Sequence, residues 1–302
     1  KALEYYLQAL QIRKGIYGEK HPVVAGSYNT IGVVYSDKGE YDKSLEYFLK
    51  ALQIRKEIYG EKHPDLASSY NNIAMVCINK GEYDKALDYY SKALAIYQEL
   101  YGGKHPEVAD IYGNMGVAFY DKGDYDKALE YFFNNIQIKK ETTGEKNNDI
   151  AGNYINIGNV YSEKGEYDKA LEYYFKALQI KTEILGERHP DVAAVYNNIG
   201  IIYVNKGEYD QALEYYTRAL QIRKEVFGEK HPVLGQSYNN IGNIYSEKGE
   251  YDKALEYHLK ALQIDKEIFD ETHPDVASCY GDIGLDYFNK GEYEKALEYN
   301  FK

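Results

Sequence analysis

Six histidines recur every 42 residues, at His21, His63, His105, His189, His231 and His273, and each is followed by a proline. Histidines in register suggest zinc. A zinc ion needs its ligands about 2.0–2.1 Å away, whereas equivalent points on stacked helices lie roughly 8–10 Å apart. Each histidine is therefore alone, and no metal site is expected. A second series carries amides. Asn72, Asn114, Asn156, Asn198 and Asn240 share one position of the period, flanked by Thr30 and Asp282, and Asn29, Asn71, Asn197 and Asn239 share the position before it. An amide both donates and accepts, so a row of them can hydrogen-bond the backbone of an extended peptide whatever its sequence. The competing use is a bond from one asparagine of each pair to a neighbouring helix. The 36 tyrosines keep fixed positions, such as Tyr28, Tyr70 and Tyr112, as expected of packing by amphipathic rings. The chain holds no HExxH, GxSxG, Walker or GxGxxG motif and no paired-cysteine spacing. No catalytic residue and no cofactor site is expected.

These residues must be positioned by the period itself. Within it, apolar residues recur twice at helical spacing, first at Val24, Tyr28, Ile31 and Tyr35, then at Leu45, Phe48, Leu49 and Leu52. The glycine turn Lys38-Gly39-Glu40 separates the two runs. Each period thus predicts two amphipathic helices. Pro22 suits the first helical position, where its missing N–H costs nothing, and proline is expected to carry most of the dipeptide's effect. Gly60 and its equivalents predict left-handed caps, with Asp270 the exception. A mid-helix glycine costs about 1 kcal/mol relative to alanine, yet Gly32, Gly116, Gly158, Gly200, Gly242 and Gly284 recur there, which predicts close approach of two backbones. Leading helices are expected near residues 22–38, 64–80, 106–122, 148–164, 190–206, 232–248 and 274–290. Trailing helices are expected near residues 1–17, 41–59, 83–101, 125–143, 167–185, 209–227, 251–269 and 293–302. The whole chain, 1–302, reads as one array and as a fragment of a longer protein.

Bulk properties narrow the function. With 36 basic and 48 acidic residues the formal charge is −12, and the basic residues form no patch, which argues against nucleic acid as partner. No apolar run approaches the ~18 residues of a membrane span, and no membrane association is expected. Cys77 and Cys279 lack metal or redox spacing, consistent with a reducing, cytoplasmic setting.

Asn71-Asn72-Ile73-Ala74 or Asn197-Asn198-Ile199-Gly200, followed by an aromatic residue, by Lys-Gly-Glu-Tyr-Asp-Lys-Ala-Leu-Glu-Tyr-Tyr and by a further Ala-Leu, resembles the tetratricopeptide repeat. The longer period is similar to the repeats of kinesin light chains and nephrocystin-like proteins. The resemblance implies an all-α fold, a right-handed superhelix of about seven helix-turn-helix repeats, with the leading helices on its concave side.

On that expectation the groove face carries Gly26, Asn29, Val33, Ser36, Asp37 and their equivalents. Apolar groups occur there at Val33, Met75, Ile78, Val117, Tyr120, Ile155, Ile201, Val204, Leu285 and Phe288; Asn159 with Ser162, and Asn243 with Ser246, are polar breaks. Asp37, Asp110, Asp121, Glu163 and Glu247 are acidic, and no lysine or arginine occupies these positions. The expected partner is a protein or peptide, neutral to basic, with apolar anchors, bound as an extended strand or a helix by a non-catalytic scaffold. Alternatives are end-to-end self-association and a sensor region of a larger multidomain protein.

One junction departs from the period. Asn134-Asn135 stands where Lys50-Ala51 stands in the second copy, Thr143 replaces an aromatic residue, and Asn147-Asn148 replaces the His-Pro pair. A buried amide without partners costs about 1–3 kcal/mol, so this junction is expected either to be loose or to use its asparagines for contacts.

Overall fold

In the computed structural model, which describes residues 2–302, every regular element is an α-helix. The order is α1 (Ala2–Tyr17), α2 (Pro22–Asp37), α3 (Tyr41–Tyr59), α4 (Pro64–Asn79), α5 (Tyr83–Tyr101), α6 (Pro106–Lys122), α7 (Tyr125–Thr143) and α8 (Asn148–Glu163). It continues with α9 (Tyr167–Leu185), α10 (Pro190–Asn205), α11 (Tyr209–Phe227), α12 (Pro232–Glu247), α13 (Tyr251–Ile268), α14 (Pro274–Lys290) and α15 (Tyr293–Asn300). The even-numbered helices are the leading members of the pairs. Packing follows chain order from α1 to α7 and again from α9 to α15, each helix lying on the next, as in a helical solenoid.

Every leading helix except α8 starts on a His-Pro dipeptide, and both residues act. Proline takes the first turn, while the histidine Nδ1 accepts a backbone N–H as an N-cap. Asp65 donates to His63 at 3.1 Å, Asp191 to His189 at 3.1 Å and Val23 to His21 at 3.2 Å. Except at His189, which follows Leu185, the ring also stacks on the aromatic residue at the end of the preceding helix, 3.9 Å from Tyr59 for His63 and 3.8 Å from Phe269 for His273. The expectation that proline supplies most of the effect is therefore corrected.

The turn after each leading helix has Schellman geometry. Glu40 N–H reaches back to the Tyr35 carbonyl at 2.9 Å, and Gly39 sits at φ +73°. Gly60, after the trailing helix, has φ 74° but ψ −162°, outside the αL basin and in a region that is essentially glycine-only. At Asp270 that geometry is avoided, because α13 ends one residue early on an extended Phe269.

The recurring mid-helix glycines admit side chains rather than a second backbone. A Cβ on Gly116 would lie 2.6 Å from the Phe132 ring, and one on Gly200 would lie 2.6 Å from Tyr216. The expected backbone approach is thus replaced by a side chain of the trailing helix seated on the glycine, a ring at Gly32, Gly116, Gly200 and Gly242 and the Asn300 amide at Gly284.

Two compact units, Lys1–Val160 and Tyr161–Lys302, divide the chain. The first buries Ile31, Leu66, Ile73, Phe132, Ile150 and Ile157 completely, and the second buries Ile199, Ile202, Leu234, Ile241, Ile244 and Ile283. Each such side chain contributes about 1.5–3 kcal/mol. Repeat-to-repeat clips lie on the surface: Lys80 to Asp42 at 2.6 Å in the first unit, and Lys248 to Asp210 at 2.6 Å in the second.

Candidate functional site

The leading helices present a mixed face. In the first unit Val33, Met75 and Val117 are exposed, Met75 to 50 %, while Ile78 and Tyr120 are half-buried. In the second unit Ile201, Leu285 and Phe288 are exposed, whereas Val204 is half-buried and packs on the core around Tyr216 and Tyr238. Glu163 and Glu247 face solvent, and Asn159 is half-buried. The polar pair Asn243, which is exposed, and Ser246, which is half-buried, bonds to buried groups beneath the face. Ser246 donates to Asp286 at 2.7 Å, Asp286 lies 2.7 Å from His258 Nδ1, and Asn243 Oδ1 lies 3.1 Å from His258 Nε2. His258, the seventh histidine, occupies the ring position opposite Gly242 and is 1 % exposed.

The asparagine series splits into two groups. Where both positions of a pair of copies hold asparagine, the amides bond across the repeat: Asn72 donates to Asn29 at 3.0 Å, Asn114 to Asn71 at 2.9 Å and Asn240 to Asn197 at 3.2 Å. Asn239 faces inward and donates to Cys279 Sγ at 3.3 Å. Asn156 and Asn198 differ, because Gly113 and Ile155 hold the acceptor position in the copies before them. Their side chains are half-buried and make no hydrogen bond within the chain among the described residues.

Basic side chains reach the face from behind, a contribution that face-by-face reading of the leading helices misses. One position of the trailing helix holds Arg13, Arg55, Tyr97, Lys139, Lys181 and Arg223 in successive copies. Each arginine bonds a serine fourteen residues on, Arg13 to Ser27 at 2.7 Å, Arg55 to Ser69 at 2.6 Å and Arg223 to Ser237 at 2.7 Å. Each lysine meets an aspartate ten residues on, Lys139 to Asp149 at 3.0 Å and Lys181 to Asp191 at 2.7 Å. Lys139 also meets Asp110 at 2.6 Å. Burial opposes the charge of Lys139, but the bonds to Asp110 and Asp149 outweigh it and hold its pKa above the usual lysine value. The signal was present in the sequence as a basic residue at constant register.

The irregular junction forms a polar cleft in the first unit, lined in part by Asp110, Asn114, Asn135, Asp149, Asn153 and Asn156. Asn135 is 3 % exposed and fully engaged: its Nδ2 donates to the Ala109 carbonyl at 2.6 Å, and its Oδ1 accepts from Asn153 at 2.9 Å. Gly113 makes room, since a Cβ there would lie 2.9 Å from Asn135 Nδ2. The asparagines are used for contacts.

A paired-helix array with an amide-bearing face and buried cations beneath it defines a helical repeat protein of the solenoid class. The tetratricopeptide repeat family profile matches residues 1–57, 23–78, 65–132, 149–225, 191–267 and 233–300, and the chain belongs to that family. No match spans residues 133–148, where the irregular junction lies. No curated protein matches the chain in sequence. Among solved structures it is similar to BtubC (BKLC) from P. vanneervenii, at 26% identity and TM-score 0.64 over 78% of this chain and 92% of that one. It is also similar in fold to the putative kinesin light chain TPR-like repeats of Podosopora anserina, at 18% identity and TM-score 0.59 over 68% of this chain and 97% of that one. A third likeness in fold is to the STAND protein with a tetratricopeptide repeat sensor from Pyrococcus horikoshii, at 16% identity and TM-score 0.73 over 92% of this chain and 41% of that one.

Proposed function

We propose that the chain is a non-catalytic protein-protein interaction scaffold that takes an extended peptide or a partner helix along the exposed face of its leading helices. The observation that carries this reading is the state of Asn156 and Asn198, whose amides have no hydrogen-bond partner among the described residues. Each supplies a donor and an acceptor to a ligand backbone. Met75, Val117 and Ile201 add exposed apolar anchors on the same helical faces. Exposed Glu163 and Glu247 favour a neutral to basic partner. The buried, unpaired Cys77 and Cys279 support a cytoplasmic setting.

The test is an arrayed library of extended peptides, followed by titration of basic and acidic versions of the tightest binder. Tighter binding of the acidic version overturns the charge preference, and no saturable binding of any peptide overturns the groove. A second reading, self-association, is favoured by Tyr293, Leu297 and Phe301, exposed to 60 %, 57 % and 87 % around α15. Light scattering that rises with concentration in the absence of peptide supports it over the groove.

A further inference from the structure

The position that supplies Arg13, Arg55, Lys139, Lys181 and Arg223 is reversed in charge in the last complete copy, where it holds Asp265. The aspartate ten residues on is kept. Lys181 faces Asp191 at 2.7 Å, but Asp265 has Asp275 at the same spacing, and the two carboxylates line one cleft. Asp265 is 3 % exposed. Its Oδ2 accepts only a weak bond from the Cys279 thiol at 3.4 Å, and its Oδ1 accepts none among the described residues. A buried carboxylate with no cation beside it is costly unless something pairs with it.

The surroundings are fitted to this carboxylate. Gly235 stands where the other copies carry Ala25, Ala67, Ala109, Ala151, Ala193 and Ala277, and a Cβ on Gly235 would lie 2.3 Å from Asp265 Oδ1. Asp282 takes the place of the series asparagine, so this copy presents an acceptor where the others also donate. Asp265, Asp275 and Asp282 line one cleft of ≈ 320 Å³, together with Asn239 and Ser278. Arg223 borders the same cleft and keeps its charge, but its guanidinium donates to Ser237 at 2.7 Å and forms no ion pair with these carboxylates among the described residues. His273 lies 3.8 Å from Asp275. Burial raises the pKa of both Asp265 and Asp282, the sign of carboxylates that lack a counter-ion. No group of His, Cys, Asp and Glu among the described residues has the arrangement to hold a metal ion, which favours an organic cation over a metal at these carboxylates.

We infer that the Asp265 cleft is an anchor for a basic side chain of a peptide ligand, its guanidinium or ammonium group taking the place that Lys181 fills beside Asp191. The inference rests on the peptide-binding reading above and names one recognition element within it. A cation entering the cleft meets Asp265 Oδ1, Asp275 and Asp282, and charge-assisted bonds to carboxylates are the strong class of hydrogen bond.

The test does not need an identified partner. N-acetyl-argininamide, N-acetyl-lysinamide and the neutral citrulline analogue are titrated into the protein, and backbone amide shifts are followed by NMR. Expected are saturable shifts at Asn239, Asp265 and Ser278 with the two cations, at least about tenfold tighter than with citrulline, and lost in D265K. That variant puts an ammonium group ten residues before Asp275, the spacing at which Lys181 meets Asp191, so the fold is expected to persist; its circular dichroism and melting temperature check this. D265N, which keeps the shape, is expected to weaken binding of the cations and leave the citrulline analogue unchanged. Equal shifts with citrulline, no shifts at all, or full retention in a folded D265K overturns the anchor, as does displacement of the cations by magnesium or calcium at equal concentration. Extended peptides that bind without any preference for Arg or Lys over citrulline overturn the anchor and leave the groove standing. Cations that bind the cleft while no extended peptide binds overturn the groove alone.

Discussion

The side chain of Asn147 accepts the backbone N–H of Asp149 at 2.6 Å, the same bond that His63 makes to Asp65 at 3.1 Å. The missing His-Pro pair is therefore replaced in function at the cap. The aromatic partner changes with it: Asn147 Nδ2 donates to Thr143 Oγ1 at 2.8 Å, where His63 would stack on Tyr59. A cap bonded to a hydroxyl substitutes for a cap stacked on a ring.

Asn147→Ala is expected to cost about 1 kcal/mol, the usual value of an N-cap. The loss falls on α8, because solenoid stability is a sum of local terms. Hydrogen exchange of residues 149–152 reads it directly. Asn147→His is expected to restore only part of the protection, since Thr143 offers no ring. Unchanged exchange in the alanine variant contradicts the cap.

Two glycines to alanine should move stability in opposite directions. Gly116→Ala places a methyl group 2.6 Å from the Phe132 ring, and overpacking of this kind costs about 1–3 kcal/mol. Gly26→Ala, with nothing within 4 Å of the new Cβ, is expected to stabilise by up to about 1 kcal/mol through helix propensity. Denaturant midpoints of the two variants test the pair.

Asparagines that look identical in the sequence should separate by assay. Asn72→Ala removes the bond to Asn29 and is expected to cost about 0.5–1.5 kcal/mol. Asn156→Ala with Asn198→Ala removes no bond among the described residues, so stability is expected to hold while peptide affinity falls by about tenfold, the worth of a hydrogen bond or two. Calorimetric titration with the tightest library peptide, beside a melting curve, distinguishes the two outcomes.

The Asp265 carboxyl makes stability depend on pH. Burial lifts its native pKa above that in the unfolded chain. Between the ordinary aspartate value and the raised one, the native state binds more protons, so stability falls as pH rises through that window and stays lower above it. Asp265→Asn is expected to be more stable than the parent at neutral pH, with the difference shrinking on acidification. A difference that grows as pH is lowered would contradict the assignment.

The helical pairs were legible because their signals are local and repeated. Proline at the start of a helix, glycine after it and apolar residues on one stripe act within a few residues of chain. The tetratricopeptide resemblance rested on those same residues. What sat opposite the recurring glycine was not legible, since Phe132 lies in another helix and only packing brings its ring onto Gly116. The basic position was visible as a register but not as a place. Its side chains start on trailing helices and end between leading ones, as Lys139 does between Asp110 and Asp149.

The sequence by itself determined the period, the helix pairs and the family, because each follows from backbone preference and hydrophobic spacing. Only the tertiary structure decided which amides are occupied and which are free, and which charges are paired. Asn114 and Asn156 occupy one position of the repeat, yet the first donates to Asn71 while the second has no amide opposite it. Asp265 differs from Lys181 by a single side chain, but its meaning comes from Asp275, Cys279 and Gly235 around it. Pairing is a property of two side chains brought within about 3 Å, and that distance is set by how helices from different repeats pack.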